Sequence, residues 1–481
     1  MQYKWKALSV TTLGALLASI QGSSLLLALP QILIQLKTNF ITLIWIILIY
    51  LLATTMFIPI IGKLADLFGK KFLYNLGFII FTIGSLLCGI SQSSFHGFDL
   101  IFYRLIQGIG GALLFTNSTA IVTDAFSNSG DLGLGLGINQ IAVASGFIIG
   151  PILGGLLAPI SWRLIFLINI PIGAIGSIWG IIILKDIVKN IKKEKFDYLG
   201  SFFLTSSIIF LLLTLSFISL PNSNSVLEFI FFIAFIILIL SFILYERKVN
   251  NPIFDFTLFR NKTFFLSNLT GFLNSIARGA SLFVLIFFLQ GPYGKTPFQS
   301  GLMIIPFGAS FLILSPIAGF LSDKYSYKIL STLGLIISAL GLLGLASIGK
   351  YTNYFDISIF MILLGAGSGL FSSPNTNSIM RNVNTEKRGE GSAVRGILSN
   401  FGQMLSIAII FPIVIGSISQ NAISKIFIYG GHSVKIASST LTNFINSIHN
   451  SFFILLVFTL IAIFISLIGP TGKSHSEISK N

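Results

Sequence analysis

Apolar runs of about 20 residues alternate along the chain with short stretches that carry charge, Gly or Pro. They fall near 7–29, 42–61, 72–91, 99–123, 134–158, 163–184 and 200–219, then near 226–245, 264–289, 300–321, 329–348, 356–378, 392–416 and 450–469. Each has the length a helix needs to cross a bilayer. Lipid offers no partner to an open backbone group, so each run is expected as a closed helix. The pattern predicts an all-α, polytopic membrane protein with fourteen spans.

An even number of spans returns both termini to one side, and the basic residues choose which side. Lys4, Lys63, Lys70, Lys71, Lys192, Lys193, Arg247, Lys248 and Arg388 share the N-terminal side, whereas Lys37, Arg163, Lys295, Lys350, Lys425 and Lys435 fall opposite. Lys and Arg accumulate in cytoplasmic loops. Both termini are therefore expected in the cytoplasm of a multi-pass cell-membrane protein.

The runs also repeat at a fixed offset of 257 residues. Gly62-Lys63-Leu64-Ala65-Asp66 after the second run matches Gly319-Phe320-Leu321-Ser322-Asp323 after the tenth, and Gly108 to Leu113 in the fourth matches Gly365 to Leu370 in the twelfth. The same offset lays Gly22 on Gly279 and Ser24 on Ser281. The expected organisation is a six-helix bundle over 1–199, an inserted helix pair with linker over 200–262, and a second six-helix bundle over 263–481 with a long external loop at 417–449. Parallel halves around a midplane site are a transporter architecture, in which rocking of one half exposes the site alternately.

Composition changes this picture little. Hydrophobic residues make up 54% and charged residues 9%, with mean hydropathy +0.91, which excludes a soluble fold. The net charge of +15 is scattered through short loops rather than gathered in one patch, so no nucleic-acid partner is expected. Cys88 is alone in an apolar run and forms no intrachain disulfide. Met1 to Lys6 and the stretch to Pro30 mimic a signal peptide but contain no small-residue cleavage site, so an uncleaved first helix is expected. Lys425, His432, Lys435 and His449 have no metal-ligand spacing and read as solvated loop. No metal or cofactor is expected.

Four motifs carry chemistry. Gly62-Lys63-Leu64-Ala65-Asp66-Leu67-Phe68-Gly69-Lys70-Lys71 joins spans two and three; Gly62 and Gly69 permit a close turn, and Asp66 can face a basic residue or a helix N-terminus. Arg104 in Arg104-Leu105-Ile106-Gln107-Gly108-Ile109-Gly110-Gly111 sits within an apolar helix, which is costly unless it faces protein or water. Gly146, Gly150, Pro151, Gly154 and Gly155 make a flat, bent face for close helix approach. In the first span, Ile20-Gln21-Gly22-Ser23-Ser24 places polar groups in an apolar run, and the repeat-equivalent of Gln21 is Arg278.

These motifs resemble the major facilitator superfamily, and with Gln290-Gly291-Pro292, Gly301 to Pro306 and the extra helix pair they resemble its fourteen-helix drug:proton antiporter branch. The resemblance covers residues 7–410. It implies that the loop carrying Gly62, Asp66, Gly69 and Lys70 is a cytoplasmic latch, with a second copy at Gly319 and Asp323 where Ser326 replaces Gly69. It further implies that Arg104 assists proton movement, that Gly146 to Gly155 is the antiporter motif, and that the protein is an efflux transporter linked to drug resistance. Gln21 stands where the family's first helix carries an acidic residue, and an amide does not exchange protons near neutral pH. None of the 15 acidic residues falls near mid-bilayer.

The expected substrate cavity comprises Gln21, Arg278, Ser24, Asn117 and Asn139. Arg278 either anchors a neutral or anionic substrate or packs against helix C-terminal carbonyls or Gln side chains; Arg395, nearer a span end, is expected to snorkel. Two readings within transport follow. One is a secondary active exporter of small amphipathic compounds working by alternating access, and the other is a proton-independent facilitator or carrier of a neutral or anionic solute anchored at Arg278. A lipid-modifying enzyme lacks positioned acid/base groups, since His96, His432, His449 and His475 fall in loops and tails. A nucleotide-driven pump lacks the Gly-x-x-x-x-Gly-Lys-Ser/Thr loop. Expected partners are a small-molecule substrate and membrane lipids, with the chain acting as a monomer.

Overall fold

The computed structural model describes residues 2–126, 132–185, 197–218, 225–249, 252–253, 256–383, 388–416 and 438–469. Among them there is no strand, and fourteen helical segments are long and apolar enough to cross a membrane. In the first half these are α1 (Tyr3–Ser24), α2 (Phe40–Phe68), α3 (Lys70–Gly89), α4 (Phe98–Phe126), α5 (Leu132–Leu157) and α6 (Asn169–Ile183). The inserted pair is α7 (Tyr198–Ile218) and α8 (Ser225–Glu246). In the second half the ninth span is α9 (Lys262–Gly279) with α10 (Ser281–Gln290), and the tenth is α11 (Pro297–Met303) with α12 (Ile305–Lys324). The remainder are α13 (Tyr327–Leu345), α14 (Tyr354–Arg381), α15 (Arg388–Gly416) and α16 (Ser438–Ile468).

The chain divides into two compact units, Met1–Glu194 with Lys295–Gly308, and Lys195–Gly294 with Ala309–Asn481. In the first, α3 and α4 approach so closely that a Cβ on Gly84 would lie 2.6 Å from the Gln107 nitrogen, and one on Gly110 would meet the Phe81 backbone. In the second, α13 and α14 repeat this contact at the same offset: a Cβ on Gly341 would lie 2.6 Å from the Leu364 nitrogen, and one on Gly367 would meet Ser338. Small residues let helices approach without the hydrophobic drive that water would supply. The repeat read from the sequence is thus also a repeat of helix contacts within each unit.

Large apolar residues cover the outside. Only 6% of the apolar window of α8 is buried, and its Phe231 packs on Phe210 and Phe217 of α7 with ring centroids 5.9 and 5.5 Å apart. That surface is stable only in lipid.

Two expectations are corrected. Residues 438–449 belong to α16 rather than to an external loop; 417–437, Lys192 and Lys193 lie outside the described residues. The polar residues Thr442, Asn443 and Asn446 are the exposed face of a helix whose Phe444 and Ile448 are buried at helical spacing. His449 is accordingly part-buried, its Nε2 2.6 Å from the Ile348 carbonyl oxygen. Gly62 makes no turn either, because α2 continues unbroken to Phe68. The turn is Gly69 alone, at φ 90° and ψ 138°, a backbone that L side chains rarely adopt. At the equivalent break in the second half Ser326 has φ −59°, so no glycine is required there.

Candidate functional site

In the first unit the Arg104 guanidinium is almost wholly buried and has no carboxylate within ion-pair distance among the described residues. Neutral groups hold it instead. Its Nε donates to the Ile46 carbonyl at 3.2 Å and its Nη1 to Gln107 Oε1 at 2.7 Å, and Gln107 Nε2 donates to Ser85 Oγ at 2.7 Å. The Tyr50 ring lies under the guanidinium, 4.4 Å from Cζ, and the Tyr50 hydroxyl donates to the Ala18 carbonyl at 3.1 Å, tying the network to α1. A cation over an aromatic face is stabilised there, the more so without water. Gln107 stands within the Arg104 motif, one helical turn along, but was not read as a site residue, and Ser85 on α3 escaped the sequence reading altogether.

Gln21 points into the first unit and is fully buried. Its Oε1 accepts from Asn169 Nδ2 on α6 at 2.6 Å. Gln21 Nε2, Asn169 Oδ1 and the hydroxyl of Ser24, one turn further along α1, are buried without hydrogen-bond partners. Unpaired buried polar atoms cost on the order of 1–3 kcal/mol each, so each calls for a partner, whether a bound water or a solute. The signal for Asn169 was present, since it interrupts the apolar sixth span between Ile168 and Ile170. Of the other cavity candidates, Asn117 Nδ2 donates to the Leu113 carbonyl at 2.9 Å while its Oδ1 is unpaired, and Asn139 Oδ1 lies 3.1 Å from Ser118 Oγ.

Gly146, Gly150 and Gly154 of α5 lie against α1. A Cβ on Gly146 would strike Ser19, one on Gly150 would strike Ser23 Oγ, and one on Gly154 would strike the Ser24 carbonyl; Ser23 Oγ donates to the Gly146 carbonyl at 3.1 Å. Gly155, one turn beyond Pro151, faces α11, where a Cβ would come 2.5 Å from the Pro297 oxygen. From the other side a Cβ on Gly301 would come 2.6 Å from the Pro151 oxygen. By sequence α11 belongs to the second repeat, yet it packs within the first unit.

Among the latch residues, Lys70 forms an ion pair with Asp124 at 2.6 Å, joining the start of α3 to the end of α4. The side chains of Lys63, Asp66 and Asp323 lie outside the described residues. Gly319 faces Ser373 at ordinary contact distance, and Ser315 Oγ lies 3.0 Å from Ser373 Oγ.

In the second unit Arg278 occupies the last turn of α9, half-buried, with its guanidinium 5.6 Å from the Phe311 ring centroid. The ninth span breaks at Ala280, and the buried Ala280 N–H donates to Ser406 Oγ on α15 at 2.9 Å. Arg395 does more than snorkel, because its Nη1 donates to Thr376 Oγ1 on α14 at 3.3 Å.

The family model of the Major Facilitator Superfamily matches residues 11–407. The chain is 31% identical over 422 residues to the riboflavin transporter RibZ of Clostridioides difficile, covering 88% of this chain and 90% of that one. It is 30% identical over 408 residues to multidrug resistance protein 3 of Bacillus subtilis, covering 82% and 77%. Among solved structures, a D-xylose–proton symporter shares the fold with a TM-score of 0.67 at 13% identity, covering 98% of this chain and 99% of that one.

Proposed function

The chain belongs to the major facilitator superfamily and is a membrane transporter rather than an enzyme; from that premise we propose that it exports small amphipathic compounds across the cell membrane, with both termini in the cytoplasm. The carrying observation is the buried amide pair Gln21–Asn169 with its unpaired Nε2 and Oδ1, beside the unpaired Ser24 hydroxyl. These groups offer hydrogen bonds in either sense and no charge, which suits uncharged or amphipathic solutes. The similarity to transporters named for multidrug resistance and for riboflavin supports that class. The Gly face joining α5 to α1 and α11 supplies a close, separable helix contact of the kind alternating access requires.

Arg104 is the coupling candidate, a buried cation held by neutral groups only. A second reading has its own observation: an amide at Gln21 and a half-buried Arg278 favour a carrier of neutral or anionic solutes that needs no proton gradient. Reconstitution into liposomes with a panel of cationic dyes, riboflavin and anionic solutes, under imposed pH gradients of either sign, separates the two. Gln21→Ala is expected to lower transport of the identified solute at least tenfold; wild-type transport by that variant would remove Gln21 from the account.

A further inference from the structure

The second unit contains an open cleft of about 30 Å³ among α9, α13, α14 and α16, lined by Thr263, Ser267, Lys328, Ser331, Ser378 and Ser466 among others. None of its lining residues is acidic, and Lys328 is its one cation. From Thr263 to Thr270 it extends about 10 Å along α9 at 1.5 Å per residue. The first turn of α13 supplies Tyr327 and Lys328, and the N-cap Ser326 makes no side-chain hydrogen bond there, so the positive end of the helix dipole meets the cleft. A second observation is independent of the helix end. The Ser331 hydroxyl lines the cleft, is 5% exposed, and has no hydrogen-bond partner.

The first half shows that this space is not a consequence of the fold. At the equivalent positions stand Val10, Tyr74 and Ile121, all buried in one apolar cluster, with the Tyr74 hydroxyl donating to the Val10 carbonyl at 3.0 Å. In the second half those three residues are Ser267, Ser331 and Ser378, and Ser267 and Ser378 approach to 2.7 Å between hydroxyls. A ring and two aliphatic side chains have been exchanged for three hydroxyls around a lysine.

We infer that this cleft binds a phosphate-bearing anion, either the headgroup of an anionic phospholipid or free phosphate. Lys328 supplies the charge, Ser331 and its neighbouring hydroxyls donate to the phosphoryl oxygens, and the α13 amides face them. The cleft lies at the end of its helices where α9 and α13 begin, the end that the basic residues assign to the cytoplasm, and cationic pockets between helices there suit anionic headgroups. The leaflet rests on the orientation proposed above; the binding does not, and it is read without transport.

The test uses full-length protein purified in a neutral detergent. Native mass spectrometry follows retention of phosphatidylglycerol against phosphatidylcholine, and thermal melting follows titration with inorganic phosphate. Wild type is expected to retain one phosphatidylglycerol in preference to phosphatidylcholine, with retention reduced about tenfold in Lys328→Gln. Ser331→Tyr, which refills the cleft as Tyr74 does, is expected to lose retention while melting as wild type. Stabilisation by phosphate alone, absent in Lys328→Gln, would equally support the site and name free phosphate as its source. Overturning results are no preference for either anion in the wild type, undiminished binding in both variants, or an equal loss in Lys350→Gln at the opposite end of the helices.

Discussion

The two repeats share their glycine contacts and differ in where they keep their polar groups. In the first, Ser85, Arg104 and Gln107 form a buried network, and the equivalent residues of the second, Leu342, Met361 and Leu364, are buried and apolar. At the other end of the same helices the order reverses, with Val10, Tyr74 and Ile121 answering to Ser267, Ser331 and Ser378. One scaffold of closely packed helices therefore accepts either a polar network or an apolar cluster at a given place. Polarity at these places is not demanded by the fold, which makes it a mark of function.

Converting the first half into the second is the strongest way to break this comparison. Arg104→Met leaves the buried Gln107 Oε1 without its donor and is expected to abolish transport in liposomes and lower stability by about 1–3 kcal/mol. Adding Ser85→Ala and Gln107→Leu removes the orphaned groups, so the melting temperature is expected to recover while transport does not. A triple variant that transports normally would reduce the network to packing.

The shared scaffold is sharpened by matched overpacking. Gly84→Val and Gly341→Val place side chains against backbone at the same 2.6 Å approach, and each is expected to cost about 1–3 kcal/mol by denaturant or thermal unfolding in detergent. A large difference between them would mean that the two contacts are not equivalent.

Turn chemistry predicts an asymmetry instead. Gly69→Ala forces an L side chain into φ 90° and should cost about 1–3 kcal/mol, whereas Ser326→Ala, at φ −59°, should change stability by less than about 0.5 kcal/mol. Smallest of all is Lys70→Gln. The Lys70–Asp124 pair is part-exposed, and its loss should cost no more than about 1 kcal/mol and less at high salt. A larger effect of Lys70→Gln on transport than on melting would mark the pair as part of a conformational latch.

The fourteen spans, the internal repeat and the superfamily were all legible in the sequence. Lipid imposes a length and an apolarity on every span, and glycine at a helix contact leaves a fixed spacing. Both are local rules that a linear string records. Tertiary structure alone decided which polar groups meet. Asn169 reaches Gln21 from a helix far along the chain, Gln107 and Ser85 complete the hold on Arg104, and α11 packs on α5 within the first unit although its sequence belongs to the second repeat. The helical start of α16 was hidden because its exposed Thr442, Asn443 and Asn446 read as loop until the partners of Phe444 and Ile448 were in place. Hydrogen bonds and clefts depend on distances between segments remote in sequence, and no periodicity of a single helix encodes those distances.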